Sequence, residues 1–159
     1  MTRTAAREIA IQLCFAAASA DLEPGELAER FFDRAYYESL GEEQELFREY
    51  PDADQMAYIL RLTSLASEHR AEIDALIERY AKGWRIERIS RTALAVLRCA
   101  VCEIFYMEDI PNAAAINEAV ELCKGYDGPD TVSFVNGVLG GIVRGELGET
   151  SPAEAPAQE

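Results

Sequence analysis

Ile89-Ser90-Arg91-Thr92-Ala93-Leu94-Ala95-Val96-Leu97-Arg98-Cys99-Ala100-Val101-Cys102-Glu103-Ile104 is the stretch that decides the fold. Ile89, Ala93, Val96, Leu97, Ala100, Val101 and Ile104 recur at helical spacing, so they share one face that other elements must cover. The spacing predicts a long central core helix beginning between Ile86 and Ile89, with Arg88, Arg91 and Arg98 off its apolar stripe. Between Arg79 and Arg98 six basic residues (Arg79, Lys82, Arg85, Arg88, Arg91, Arg98) face the single acid Glu87. In a chain of net charge -14 this local excess points to a binding surface on the helix flank, with Trp84 at its mouth. The alternative is a solvated flank.

On the C-terminal side, Asp109-Ile110-Pro111-Asn112 closes this helix and Pro111 sets the entry to the next. There Ile116, Val120 and Cys123 share one face, while Asn117, Glu121 and Lys124 share another, with Glu121 and Lys124 placed to pair. Gly125 to Asp130 reads as a turn. Asp130 is the expected N-cap of a last helix whose stripe is Phe134, Val135, Val138, Leu139, Ile142 and Val143. Gly137, Gly140 and Gly141 inside it suggest close helix packing or a weakened final turn. Beyond it the periodicity stops, so residues 1–145 are expected to fold and 146–159 to form a disordered acidic tail.

On the N-terminal side, Lys82-Gly83-Trp84-Arg85 breaks the pattern. A first helix is predicted over Thr4–Ala20, with Ala6, Ile9, Leu13 and Ala16 or Ala17 inward and Arg3 and Arg7 outward. A second, Glu26 to Leu40, would bury Leu27, Phe31, Phe32 and Ala35, and the acidic stretch Gly41 to Asp54 reads as a solvated loop. Asp52 or Asp54 can cap a third helix carrying Met56, Ile59, Leu60 and Thr63. A fourth, after a bend near His69, carries Ile73, Leu76, Ile77 and Tyr80.

The fold class is therefore all-α, and 159 residues suffice for a core without disulfides or metal. Cys99 and Cys102 have the spacing of a redox pair but lie in mid-helix, away from the dipole that would lower a thiol pKa, so packing is the expected role. His69 is the only histidine and has no nucleophile motif around it. No enzyme activity and no cofactor are expected. Apolar runs stop well short of the roughly 18 residues of a membrane helix, and no signal-type segment opens the chain, which predicts a cytoplasmic protein without a membrane partner.

Several blocks recur in a known order: Ala6-Arg7-Glu8-Ile9-Ala10 with Gln12-Leu13; Trp84 with Arg88-Ile89; Leu97-Arg98-Cys99-Ala100 with Glu103; and Ile110-Pro111. Ala115-Ile116-Asn117-Glu118-Ala119-Val120-Glu121-Leu122, Lys124 and Phe134-Val135-Asn136-Gly137-Val138-Leu139 complete the set. Together, from about Arg3 to Arg144, they make the chain resemble the bacterial NusB family. The resemblance implies about seven helices in two packed helical sub-bundles and an RNA-binding function. Proteins of this family recognise the single-stranded boxA element of ribosomal RNA operon leaders together with NusE, a small-subunit ribosomal protein. The complex helps RNA polymerase read through terminators. Carried over residue by residue, the implied RNA-binding set is Arg3 and Arg7, then Arg98, then Asp130, Phe134 and Asn136. Arginines would fork onto phosphates, Phe134 would stack on an unpaired base or serve the core, and Asp130 would accept from a base amine or cap its helix. The resemblance also admits a protein-interaction module that binds NusE or forms a homodimer with little RNA affinity.

Overall fold

The computed structural model describes residues 1–83 and 86–149, and every regular element among them is helical. Eight α-helices follow one another: α1 Arg3–Ala20, α2 Pro24–Phe31, α3 Arg34–Gly41, α4 Ala53–Glu68, α5 Arg70–Tyr80, α6 Arg91–Tyr106, α7 Asn112–Tyr126 and α8 Pro129–Leu147. Short 3-10 turns occupy Glu45–Phe47 and Ile86–Arg88. The helices form two compact units, Met1–Glu68 and the part that starts at His69.

In the first unit α1 packs on α4, and α2 packs on both. Thr2 caps α1, its hydroxyl accepting from the Ala5 N–H at 3.0 Å. Ala6, Ile9, Leu13 and Ala17 are buried as the stripe required, but Arg7 is buried beside them, against the outward position expected for it. The buried arc of α1 is wider than one stripe, because it also takes in Ala10 and Ile11, and Arg7 falls within it. In α4 Tyr58, Ile59, Leu62, Thr63 and Ala66 are buried, the last four as an i, i+3, i+4, i+7 series, which leaves Leu60 exposed where burial was expected. Asp52 and Gln55 cap α4 reciprocally: the Asp52 carboxylate accepts from the Gln55 N–H at 2.8 Å and the Gln55 side chain accepts from the Asp52 N–H at 2.9 Å.

The helix predicted over 26–40 is two helices, which accounts for eight instead of about seven. Phe32 ends one and Asp33 caps the other, accepting from the Tyr36 N–H at 3.1 Å. The break resets the phase, so Ala35 is exposed and Tyr37 is buried in its stead. Nor is the stretch from Gly41 to Asp54 a wholly solvated loop: Phe47 is buried, with its ring 5.6 Å from Tyr37 and 5.4 Å from Phe31. Tyr37 donates its hydroxyl to the Glu49 carbonyl at 2.9 Å, and Tyr50 donates to the Phe32 carbonyl at 2.7 Å. Gly41 permits this fold-back, since a Cβ there would lie 2.7 Å from the Phe47 carbonyl oxygen.

The second unit is built on α6, against which α5, α7 and α8 pack. From Ala93 to Ile104 every α6 residue except Arg98 is buried, so this helix is covered all round. It begins at Arg91, later than predicted, because the Ser90 hydroxyl accepts from the Ala93 N–H at 3.1 Å and sets the start. In α7 Ile116 and Cys123 are buried, whereas Asn117, Glu121 and Lys124 are exposed, and Lys124 pairs with Glu121 at 2.8 Å. Cys99 and Cys102 are buried and not joined in a disulfide, and burial pushes the Cys123 thiol up. His69 precedes α5 and stacks on Tyr106 at 3.8 Å between ring centroids.

The last helix carries a steric device. Gly141 and Gly145 turn toward Tyr80 of α5, where a Cβ on either would press into the Tyr80 ring. Tyr80 donates its hydroxyl to Glu146 at 3.0 Å, and Arg79 pairs with the same carboxylate at 2.7 Å. Helix α8 runs to Leu147, two residues past the predicted limit, and ends at Gly148 with φ +67. Trp84 and residues 150–159 of the expected tail lie outside the described residues. Among the described residues no helix is long and apolar enough to cross a membrane.

Candidate nucleic-acid interface

In the second unit the starts of α6 and α8 border a cleft of about 250 Å³ lined by Arg88, Ile89, Ser90, Ala93, Asp130, Thr131 and Phe134. Its apolar surface comes from buried Ile89 and Ala93 and from half-buried Phe134. Among the described residues its charged groups are one guanidinium, Arg88, and one carboxylate, Asp130, both exposed. Ser90, the N-cap that starts α6, and Pro129, whose fixed φ starts α8, stand at the two helix ends that border the cleft.

Asp130 does not cap α8 as expected. The N-cap is Gly128, which makes no side-chain bond, and Asp130 lies in the first turn. Its carboxylate is therefore left for other work, and among the described residues it makes no hydrogen bond or ion pair. Phe134 is half-buried, which places it between the two roles expected for it, and it lines the cleft. Asn136 follows two residues later, about 200° around the helix, and does not line the cleft.

The arginines divide differently from the expected set. Arg98 makes a two-point ion pair with Asp74 of α5, Nε to Oδ1 at 2.8 Å and Nη2 to Oδ2 at 2.9 Å, and its side chain is only 12% exposed. In the first unit Arg3 is exposed, with its guanidinium 4.4 Å from the Tyr58 ring centroid. Arg7 is 4% exposed, 5.8 Å from the same centroid. Tyr58 thus faces two cations, a geometry that holds the Arg3 head over an aromatic face at the surface. The structure groups Asp130 with Phe134 and Arg3 with Arg7, and it commits Arg98 to Asp74. Arg88, Ser90 and Thr131 were missed as cleft residues; Arg88 was visible in the basic run, but nothing in the run distinguishes it from Arg91. Among the described residues no group of three or more His, Cys, Asp or Glu side chains could hold a metal ion.

Comparison with known proteins decides what this geometry belongs to. The profile of the NusB family matches residues 4–144. The chain belongs to the NusB family. It is 37% identical over 166 residues to the transcription antitermination protein NusB of Symbiobacterium thermophilum, with all of both chains covered. NusB of T. maritima superposes with a TM-score of 0.74 at 27% identity, covering 97% of this chain and 96% of the other. A chain of the crystal structure of antitermination factors NusB and NusE in complex with dsRNA superposes at 0.72 with 26% identity, covering 90% and 96%. The NusB match takes in Arg7, Arg98 and the whole cleft, and starts one residue after Arg3.

Proposed function

We propose that this NusB-family chain is a non-enzymatic, cytoplasmic transcription antitermination factor. It binds boxA-type single-stranded RNA of ribosomal RNA operon leaders together with NusE, and the complex helps RNA polymerase read through terminators. The observation that carries the RNA half of this reading is the cleft: an aromatic side chain, a carboxylate and a guanidinium line one recess. Single-stranded RNA is read by stacking its splayed bases on aromatic rings and by bonding their edges, while its phosphates are neutralised by basic side chains. Phe134 supplies the ring, Asp130 an acceptor for a base amine, Arg3 a phosphate contact, and Asn136 an amide for a neighbouring nucleotide. Arg7 and Arg98 act from behind the surface, Arg7 beside Tyr58 and Arg98 through Asp74.

A second reading, a protein-interaction module that binds NusE or a second copy of itself, is favoured by the same two arginines. With Arg7 buried and Arg98 paired, few cations remain to hold RNA in a chain of net charge -14. Fluorescence anisotropy of a labelled boxA-type RNA, at two salt concentrations with and without NusE, separates the readings. Tight, salt-sensitive binding that improves with NusE and weakens in Arg3→Ala is expected. RNA left unbound while NusE is bound would leave the interaction-module reading in its place.

A further inference from the structure

We infer that Arg88 is a phosphate contact of the RNA site, anchoring the strand at the cleft while the base it carries lies toward Asp130 and Phe134. The inference rests on the RNA reading above and goes beyond the residues assigned there. It begins with which cations of the second unit are engaged. Arg98 and Arg70 both turn to Asp74, Arg79 pairs with Glu146, and Lys124 pairs with Glu121. Arg88 has no hydrogen bond or ion pair among the described residues, is exposed, and is the one cation lining the cleft. Arg91, next along the band, is equally exposed but lies outside the lining.

The cleft's polarity narrows the ligand class. A simple anion drawn to Arg88 would meet the Asp130 carboxylate in the same recess, and a simple cation drawn to Asp130 would meet Arg88. A nucleotide satisfies both, because it carries an anionic phosphate at one end and hydrogen-bond donors on its base edge at the other, with a ring between them to lie on Phe134. The volume, about 250 Å³, falls just under the roughly 300–1,000 Å³ of pockets that enclose drug-sized ligands, and so suits one base rather than several. Arg88 closes the 3-10 turn Ile86–Arg88, two residues before Ser90, the N-cap of α6 that lines the same cleft.

The test is the salt dependence of binding of a labelled single-stranded boxA-type RNA to the full chain with NusE, for wild type, Arg88→Gln, Arg88→Lys and Arg91→Gln. Each phosphate neutralised on a single strand contributes about -0.7 to the slope of log affinity against log salt. Arg88→Gln is expected to flatten the slope by about 0.7, Arg88→Lys to restore it, and Arg91→Gln to leave it nearly unchanged. Thermal melting should be the same for all four, since among the described residues neither side chain has a hydrogen-bond or ion-pair partner to lose. An unchanged slope in Arg88→Gln overturns the assignment while leaving the RNA reading intact. Equal flattening in Arg91→Gln overturns it in favour of a diffuse basic band. If the wild type binds no RNA, both the assignment and the RNA reading fall.

Discussion

Arg98 and Asp74 hold each other through two parallel bonds of 2.8 and 2.9 Å, one residue on the core helix α6 and the other on α5. The planar fork of a guanidinium matches a carboxylate at two points, so the pair fixes the rotation of one helix against the other. With Arg98 12% and Asp74 23% exposed, neither charge has enough water to stand alone. Arg98→Ala is expected to destabilise the chain by about 2 kcal/mol, since bonds to charged groups contribute about 1.5–3 kcal/mol. Urea unfolding measures this. A variant as stable as wild type would mean that the pair is only a surface contact.

Phe134 is expected to separate binding from folding. Because it is half-buried, Phe134→Ala should keep the helical circular dichroism spectrum while RNA affinity falls about 5- to 150-fold, the range that follows from about 1–3 kcal/mol per stacked base. Anisotropy titration reads the loss. Unchanged affinity in a folded variant would return Phe134 to the core.

Tyr37 makes the first unit sensitive to alkali. Burial, with a smaller push from Tyr50, raises its hydroxyl from 10.0 to about 12. A proton held more tightly in the folded state gives stability that is complete below the unfolded value, near pH 10, and is lost as pH rises toward the folded value near 12. The loss should be at most about 2 kcal/mol after allowance for solvent screening. Tyr37→Phe gives up the bond to the Glu49 carbonyl at neutral pH but should show a flatter alkaline decline. Urea midpoints of the two proteins across this window, compared as a difference, isolate the tyrosine.

Glycines of α8 should respond oppositely to alanine. Gly137 faces open space, so Gly137→Ala is expected to stabilise by up to about 1 kcal/mol through helix propensity. Gly145 faces the Tyr80 hydroxyl, so the same change there must displace the ring and its bond to Glu146, and melting should fall below wild type. Equal effects in the two variants would show that Tyr80 does not rest on this helix.

What could be read from the chain was the stripe of α6, the two faces of α7 and the buried stripe of α8, because each repeats over several turns and one periodicity accounts for it. The break at Asp33 was not legible, since an aspartate in mid-pattern looks like a solvated residue until its carboxylate is seen to accept from the Tyr36 N–H. Nor was the burial of Phe47, which depends on a turn that brings the loop back over Tyr37. At the candidate site the motif match led to Asp130 and Phe134, which do share a cleft. Helical spacing puts Arg7 outward and Arg98 off the α6 stripe, and the resemblance puts both in the RNA set; what each one faces, Tyr58 and Asp74, is set by the packing of other helices.

The seating of Tyr80 against Gly141 and Gly145 bears on which changes of length this chain can accept. One residue inserted in α8 before Gly140 would turn Gly145 about 100° away and bring Arg144, which bears a Cβ, into its place under the ring. The stretch between Gly41 and Asp52, by contrast, is anchored at Phe47 and Tyr50 with exposed residues between, and can absorb extra residues at its exposed positions. Among natural homologues, variation in length should therefore collect in the first unit's connection and be nearly absent from α8 up to Glu146.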